Sequence, residues 1–180
     1  MSPARIRTFL VVLGLIGAQA ARAAPVDDAC VDFKWDVSKE RALFAGTPDG
    51  LTAGKDSKSA PIVAPNRLYK LRLLAQDQVV FSASPAKKPE GKSAYAGLAT
   101  FKISMPGSYR ISVDQPFWID VVSKGSLVAA TDFQGQHNCR APNKIVEFEL
   151  AATQPHVLQF SNAASDSVLV TVTASPARKL

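Results

Sequence analysis

The chain has 180 residues, enough for one domain and short for two. Hydrophobic residues make up 47 % and charged residues 20 %, the composition of a folded chain rather than a disordered one. Two cysteines and two histidines leave little material for a zinc or iron–sulfur cluster, and the formal charge of +6 raises the question of an anionic partner.

The first segment answers part of that question. Arg5 and Arg7 precede an uncharged apolar run at residues 9–17 (FLVVLGLIG), and small residues follow at Ala18, Ala20, Ala21 and Ala23. This order predicts a secretory signal peptide over residues 1–23, with cleavage after Ala23 and a competing site after Ala20. The run is about half the ~18 apolar residues that a membrane span needs. Ile6 separates the two arginines, against a twin-arginine signal, and no lipid-attachment motif precedes Cys30. The expectation is a periplasmic or secreted protein with no stable membrane anchor. Cleavage removes Arg5, Arg7 and Arg22 and no acid, so the charge falls from +6 to +3. That excess is too small for the clustered basic face of a nucleic-acid binder.

Residues 33–45 (FKWDVSKERALFA) carry the one plausible helix, with Asp36 placed to cap it and Val37, Arg41 and Phe44 on one side. Phe33, Trp35 and Val37 alternate and would equally open a strand. Residues 46–66 are rich in Gly, Pro, Ser and Asp and read as loop, with a short edge strand expected near Ile62 and Val63. From Arg67 onward the period is two. Tyr69, Leu71 and Leu73 alternate with Lys70 and Arg72, and Val79 and Phe81 form a brief second run. Residues 82–93 are a polar loop. Phe101, Ile103 and Met105 then lead into Pro106-Gly107, which predicts a tight hairpin because Tyr109, Ile111 and Val113 resume at once. Phe117, Ile119 and Val121 follow, then a turn at Lys124-Gly125 before Leu127 and Val128. Val146, Phe148 and Leu150, then Leu158 and Phe160, then Val168, Val170 and Val172 complete the series.

Short strands with turn signals at about ten-residue spacing predict an all-β fold: a single antiparallel, jelly-roll-like sandwich of eight or nine strands over residues 24–175, with one short N-terminal helix. Residues 176–180 are expected to fray. Cys30 and Cys139 predict a disulfide that ties the leading segment to the body.

Candidate chemistry is sparse. His137 falls in a loop beside Cys139, and His156 shares parity with Leu158 and Phe160 at the edge of the core. With Glu147 or Glu149 the two histidines would just meet the ligand count of a facial triad for non-haem iron. The carboxylate pairs Asp27/Asp28 and Glu147/Glu149 read as solvated surface. No serine-hydrolase elbow or phosphate-binding loop is present in the sequence. Phe117 and Ile119 point one way, Trp118 and Asp120 the other, so Trp118 beside a carboxylate is a candidate platform for a sugar or peptide. Packing under a covering loop is its structural alternative. Lys70 and Arg72, with Lys87, Lys88 and Lys92, could meet an anionic envelope polymer.

The segments at 32–37 (DFKWDV), 107–113 (GSYRISV), 117–122 (FWIDVV), 132–136 (DFQGQ) and 144–148 (KIVEF) resemble a family of short exported proteobacterial proteins of uncharacterised function, some labelled homogentisate 1,2-dioxygenase. The later strands are similar in pattern to β-sandwich modules of the pre-peptidase C-terminal type. The first resemblance implies export. Its label implies an iron-dependent ring-cleaving oxygenase, for which His137, His156 and Glu147 or Glu149 would be the ligands. The enzyme of that name is a longer cupin with a dense His/Glu motif, which this sequence does not match. The second resemblance implies an accessory domain. The reading that joins these is an exported, non-catalytic binding or accessory domain without a cofactor. Its expected partner is an envelope protein or polymer. The iron oxygenase and the carbohydrate or anionic-polymer binder are its alternatives.

Overall fold

The computed structural model describes residues 30, 33–88, 94–136, 138–139, 141–152 and 154–176. The signal segment, Asp27, Asp28, Lys92, His137 and residues 177–180 of the tail lie outside the described residues. In chain order the elements are helix α1 (Ser38–Phe44), then strands β1 (Asp49–Thr52), β2 (Leu68–Arg72), β3 (Leu74–Ala75), β4 (Tyr95–Phe101), β5 (Gly107–Val113), β6 (Trp118–Ser123), β7 (Ser126–Val128), β8 (Ala130–Gly135), β9 (Lys144–Leu150), β10 (His156–Ala163) and β11 (Ser167–Ala174), with a 3-10 turn at Gln76–Gln78.

The strands form two sheets. One runs β1-β2-β11-β5-β9-β8 and the other β3-β4-β10-β6-β7. Every strand pair is antiparallel except β1 with β2. The alternation does what a half-buried strand requires, sending one parity of side chains into the space between the sheets. Leu71, Ile111, Val113, Phe148, Val170 and Val172 come from the six-stranded sheet, and Phe101, Ile119, Val121, Leu158 and Phe160 from the five-stranded one, and all are buried in one core. The fold is an all-β sandwich.

The number of strands rises to eleven among the described residues, and four local expectations change. Pro106-Gly107 does not make a hairpin, because β4 and β5 belong to different sheets and residues 102–106 arch between them. Inward parity is the same on both sides of an arch and of a hairpin, so alternation does not separate the two. Val79 and Phe81 are not a strand: they pack on the outer face of the five-stranded sheet with Ala96 and Leu98. That cover buries β4 on both faces, which is why its sequence does not alternate. In the long loop the strand is β1, while Ile62 makes only an isolated bridge to Thr100. Finally, β8 runs through a stretch where no strand was expected. Its residues are nearly all exposed, so it shows no inward stripe.

Helix α1 lies across the outer face of the six-stranded sheet. The N-cap is Val37 and not Asp36, and it makes no side-chain cap bond; the Asp36 carboxylate, one residue outside, accepts the Ser38 N–H at 2.9 Å. Its most buried residue is Glu40, not Arg41 or Phe44, because the sheet face beneath is polar and offers the Thr173 hydroxyl at 2.5 Å. Cys30 and Cys139 are disulfide-bonded and packed with Phe33, Val37 and Ile145. The bond pins this N-terminal layer to the sheet, and such a bond suits a non-cytoplasmic chain. No helix among the described residues is long and apolar enough to cross a membrane.

Candidate functional site: a cleft at the sandwich corner

The site arises where the chain changes sheets. Lys124 (φ 51°) and Gly125 (φ 77°) make the two-residue turn between β6 and β7, the left-handed pair that matches strand twist. β7 pairs only Ser126, Leu127 and Val128 with β6, and one residue later the chain has joined the other sheet as β8. Such a short strand leaves the inner face of β8 uncovered at one end, while Val146 and Phe148 of β9 stay buried. Phe133 sits beside Val146 on that face and is 68 % exposed.

The resulting cleft has a volume of about 320 Å³, at the small end of small-molecule sites. Leu127, Val128, Phe133, Val146 and Phe148 line it, with Trp118, Asp120 and Lys144 at its polar end. Its backbone contributes too. The ladder to β7 stops at Val121, and antiparallel alternation aims the Ile119 N–H and C=O to the same side, past the end of β7.

Three side chains form the polar end. The Trp118 indole N–H donates to Asp120 Oδ1 at 2.8 Å, and the Ala86 N–H donates to Asp120 Oδ2 at 3.2 Å. Asp120 is thus 6 % exposed and holds the indole and the strap over the outer face together. Gln159 anchors the same strap, accepting from the Ser82 and Ala83 N–H groups and donating to the Ala83 carbonyl. Lys144 Nζ donates to the Phe117 carbonyl at 2.7 Å and lies 5.3 Å from the centre of the Trp118 ring. Burial pulls the Lys144 ammonium below the ordinary lysine value; Asp120 opposes that fall and the Lys87 charge adds to it.

The sequence candidates separate on this framework. Trp118 and Asp120 come together, with Trp118 half-buried and the carboxylate committed to the wall. Glu147 stands on the outer face of its strand, as its parity requires, but it is 3 % exposed rather than solvated, because the N-terminal layer covers that face. Its Oε2 accepts from Arg110 Nε at 3.3 Å and from the Ser175 hydroxyl at 2.7 Å. His156 is 1 % exposed between the sheets, its Nε2 2.9 Å from the Ala151 carbonyl. The two would-be iron ligands therefore face opposite sides of the six-stranded sheet, and Glu149 shares the outward parity of Glu147. His156 and Glu147 do not fit an iron site, and the described residues hold no convergent group of three metal-ligating side chains. Lys70 and Arg72 lie on the outer face of the six-stranded sheet, whereas Lys87 and Lys88 lie on the strap across the other sheet, so these four described residues do not share one face.

Lys144 and Phe133 were not singled out from the sequence. A usable signal existed for the lysine: it shares the inward parity of Val146 and Phe148, where a cation is out of place. A second groove, of about 780 Å³, runs over Trp35, Arg110, Asp132 and Glu149, but its buried charges already bind one another. No protein-family model matches the chain, and no curated protein matches it.

Proposed function

We propose that this chain is an exported, non-catalytic binding module that leaves the cytosol under the signal peptide at residues 1–23, for the periplasm or the exterior, and holds an apolar ligand in the corner cleft. The resemblance to short exported proteobacterial proteins and the Cys30–Cys139 bond support the compartment. The observation that carries the binding role is the cleft itself: an apolar recess left open by a three-residue strand, with a fixed polar end. Asp120, the carboxylate nearest to it, spends both oxygens on the wall, which suits a scaffold rather than a proton carrier.

The test is a fluorescence titration of the mature chain with N-phenyl-1-naphthylamine, an uncharged probe that brightens in apolar sites. Saturable one-site binding is expected, weakened about tenfold in Phe133→Ser by loss of a ring from the wall. Phe133 is exposed, so the melting temperature should stay put. Absence of saturation, or equal binding by the variant, refutes the assignment.

A further inference from the structure

We propose that the cleft selects a free amphipathic monocarboxylate, with its alkyl chain along Leu127, Phe133 and Phe148 and its carboxylate at Lys144. This names the ligand class of the site assigned above and rests on that reading. An apolar recess alone would accept any oil, so the choice of head group comes from the charges at its end.

Asp120 is ill placed to receive a cationic head, because it is 6 % exposed and both of its oxygens are turned to wall donors, the Trp118 indole and the Ala86 N–H. Lys144 differs. Its described hydrogen-bond partner is a neutral carbonyl, that of Phe117, and its nearest aromatic is the Trp118 face, which offers only the electron-rich side of a ring. An ammonium has three donors, and one is spent on Phe117. Burial disfavours the Lys144 ammonium, so an incoming carboxylate competes with less solvent there than at an exposed lysine. The Ile119 N–H, aimed past the end of β7, can donate to the second carboxylate oxygen. A single carboxylate matches one accessible cation; a phosphate would carry more charge than this end can meet.

Calorimetric titration of the mature chain with decanoate, 1-decanol and decylammonium decides the matter, since all three carry the same tail. Decanoate should bind more tightly than the other two by about tenfold to a hundredfold, the worth of one charge-assisted hydrogen bond. Lys144→Gln should abolish that preference, bringing decanoate and decanol to equal affinity, with thermal melting as the control for folding. Equal binding of decanoate and decanol to the native chain would overturn the head-group assignment and leave the cleft standing. Preference for decylammonium would overturn it in favour of a cationic ligand. No binding of any of the three would overturn both the assignment and the reading of the cleft. If Lys144→Gln melts early, Lys144→Met on the same three titrations takes its place, with the same loss of preference required.

Discussion

Two cations in this molecule sit on tryptophan rings, and their surroundings could hardly differ more. Arg110 lies 4.5 Å from the centre of Trp35, and Lys144 lies 5.3 Å from that of Trp118. Arg110 is closed in. Its Nε donates to Glu147, its Nη1 donates to the Asp36 carbonyl at 2.9 Å, and Glu40 stands 4.0 Å away. Those partners come from β9, the helix and the segment ahead of it, so the guanidinium bolts the N-terminal layer to the sheet. Lys144 sits at the mouth of a cleft, with a carbonyl and a ring for company. A planar fork with five donors suits the first task and a compact ammonium the second. The contrast teaches how to sort buried charge: where fixed partners use up the donors the group is structural, and where donors remain beside an apolar recess it is placed to meet a ligand.

The largest effect expected from breaking this contrast falls on the closed side. Arg110→Met leaves Glu147 and Glu40 buried without their cation, a loss of about 3–5 kcal/mol in urea unfolding. A loss below about 1 kcal/mol would mean that water reaches the layer and that Arg110 is no bolt. Next comes the covalent pin. The bond spans a sequence separation of 109 residues, and the joint Cys30→Ser and Cys139→Ser variant should lose about 2–5 kcal/mol. Because the layer and the cleft lie on opposite faces of β9, the variant lacking the bond should keep its N-phenyl-1-naphthylamine affinity at temperatures where it remains folded. Joint loss of both would show that the two regions are coupled.

How much of this was readable beforehand follows from what alternation encodes. It assigns each side chain to a face, so the shared parity of Trp118 and Asp120, and the opposite parity of Phe117 and Ile119, was visible and is what the structure has. It is silent on what covers a face. Glu147 was outward by parity and therefore read as wet; the Arg110 and Ser175 side chains that enclose it come from distant parts of the chain, beyond any local pattern. The arch at residues 102–106 was hidden for a related reason, since strands facing one core from opposite sheets keep the same rhythm as strands in a hairpin. β8 had no rhythm to find, being an edge with neither side packed. The cleft inherits both blind spots: its floor is β9, which was legible, and its wall is β8, which was not.

The smallest effect tests the open side through pH. Burial disfavours the charged form of Lys144, Lys87 disfavours it further, and Asp120 only partly offsets them, so its proton leaves more easily in the folded chain than at the reference value of 10.5. Below both values the ammonium is charged in the folded and unfolded chains alike, and the folded state carries the full desolvation cost. As pH rises through the lowered folded value, the folded chain sheds the proton while the unfolded chain still holds it. Stability must therefore climb across the window that ends at 10.5. Lys144→Met has no such proton to lose. The difference in melting temperature, native minus variant, should thus shift in favour of the native chain as the buffer is taken upward through that window, while other titrating groups cancel in the subtraction. Decanoate should reverse the trend, because a bound carboxylate holds the proton on Lys144, so the ligand-induced rise in melting temperature ought to shrink over the same interval. A difference that stays flat with pH would show an ammonium still surrounded by water, and with it would go the reason for a carboxylate to prefer this cleft to solvent.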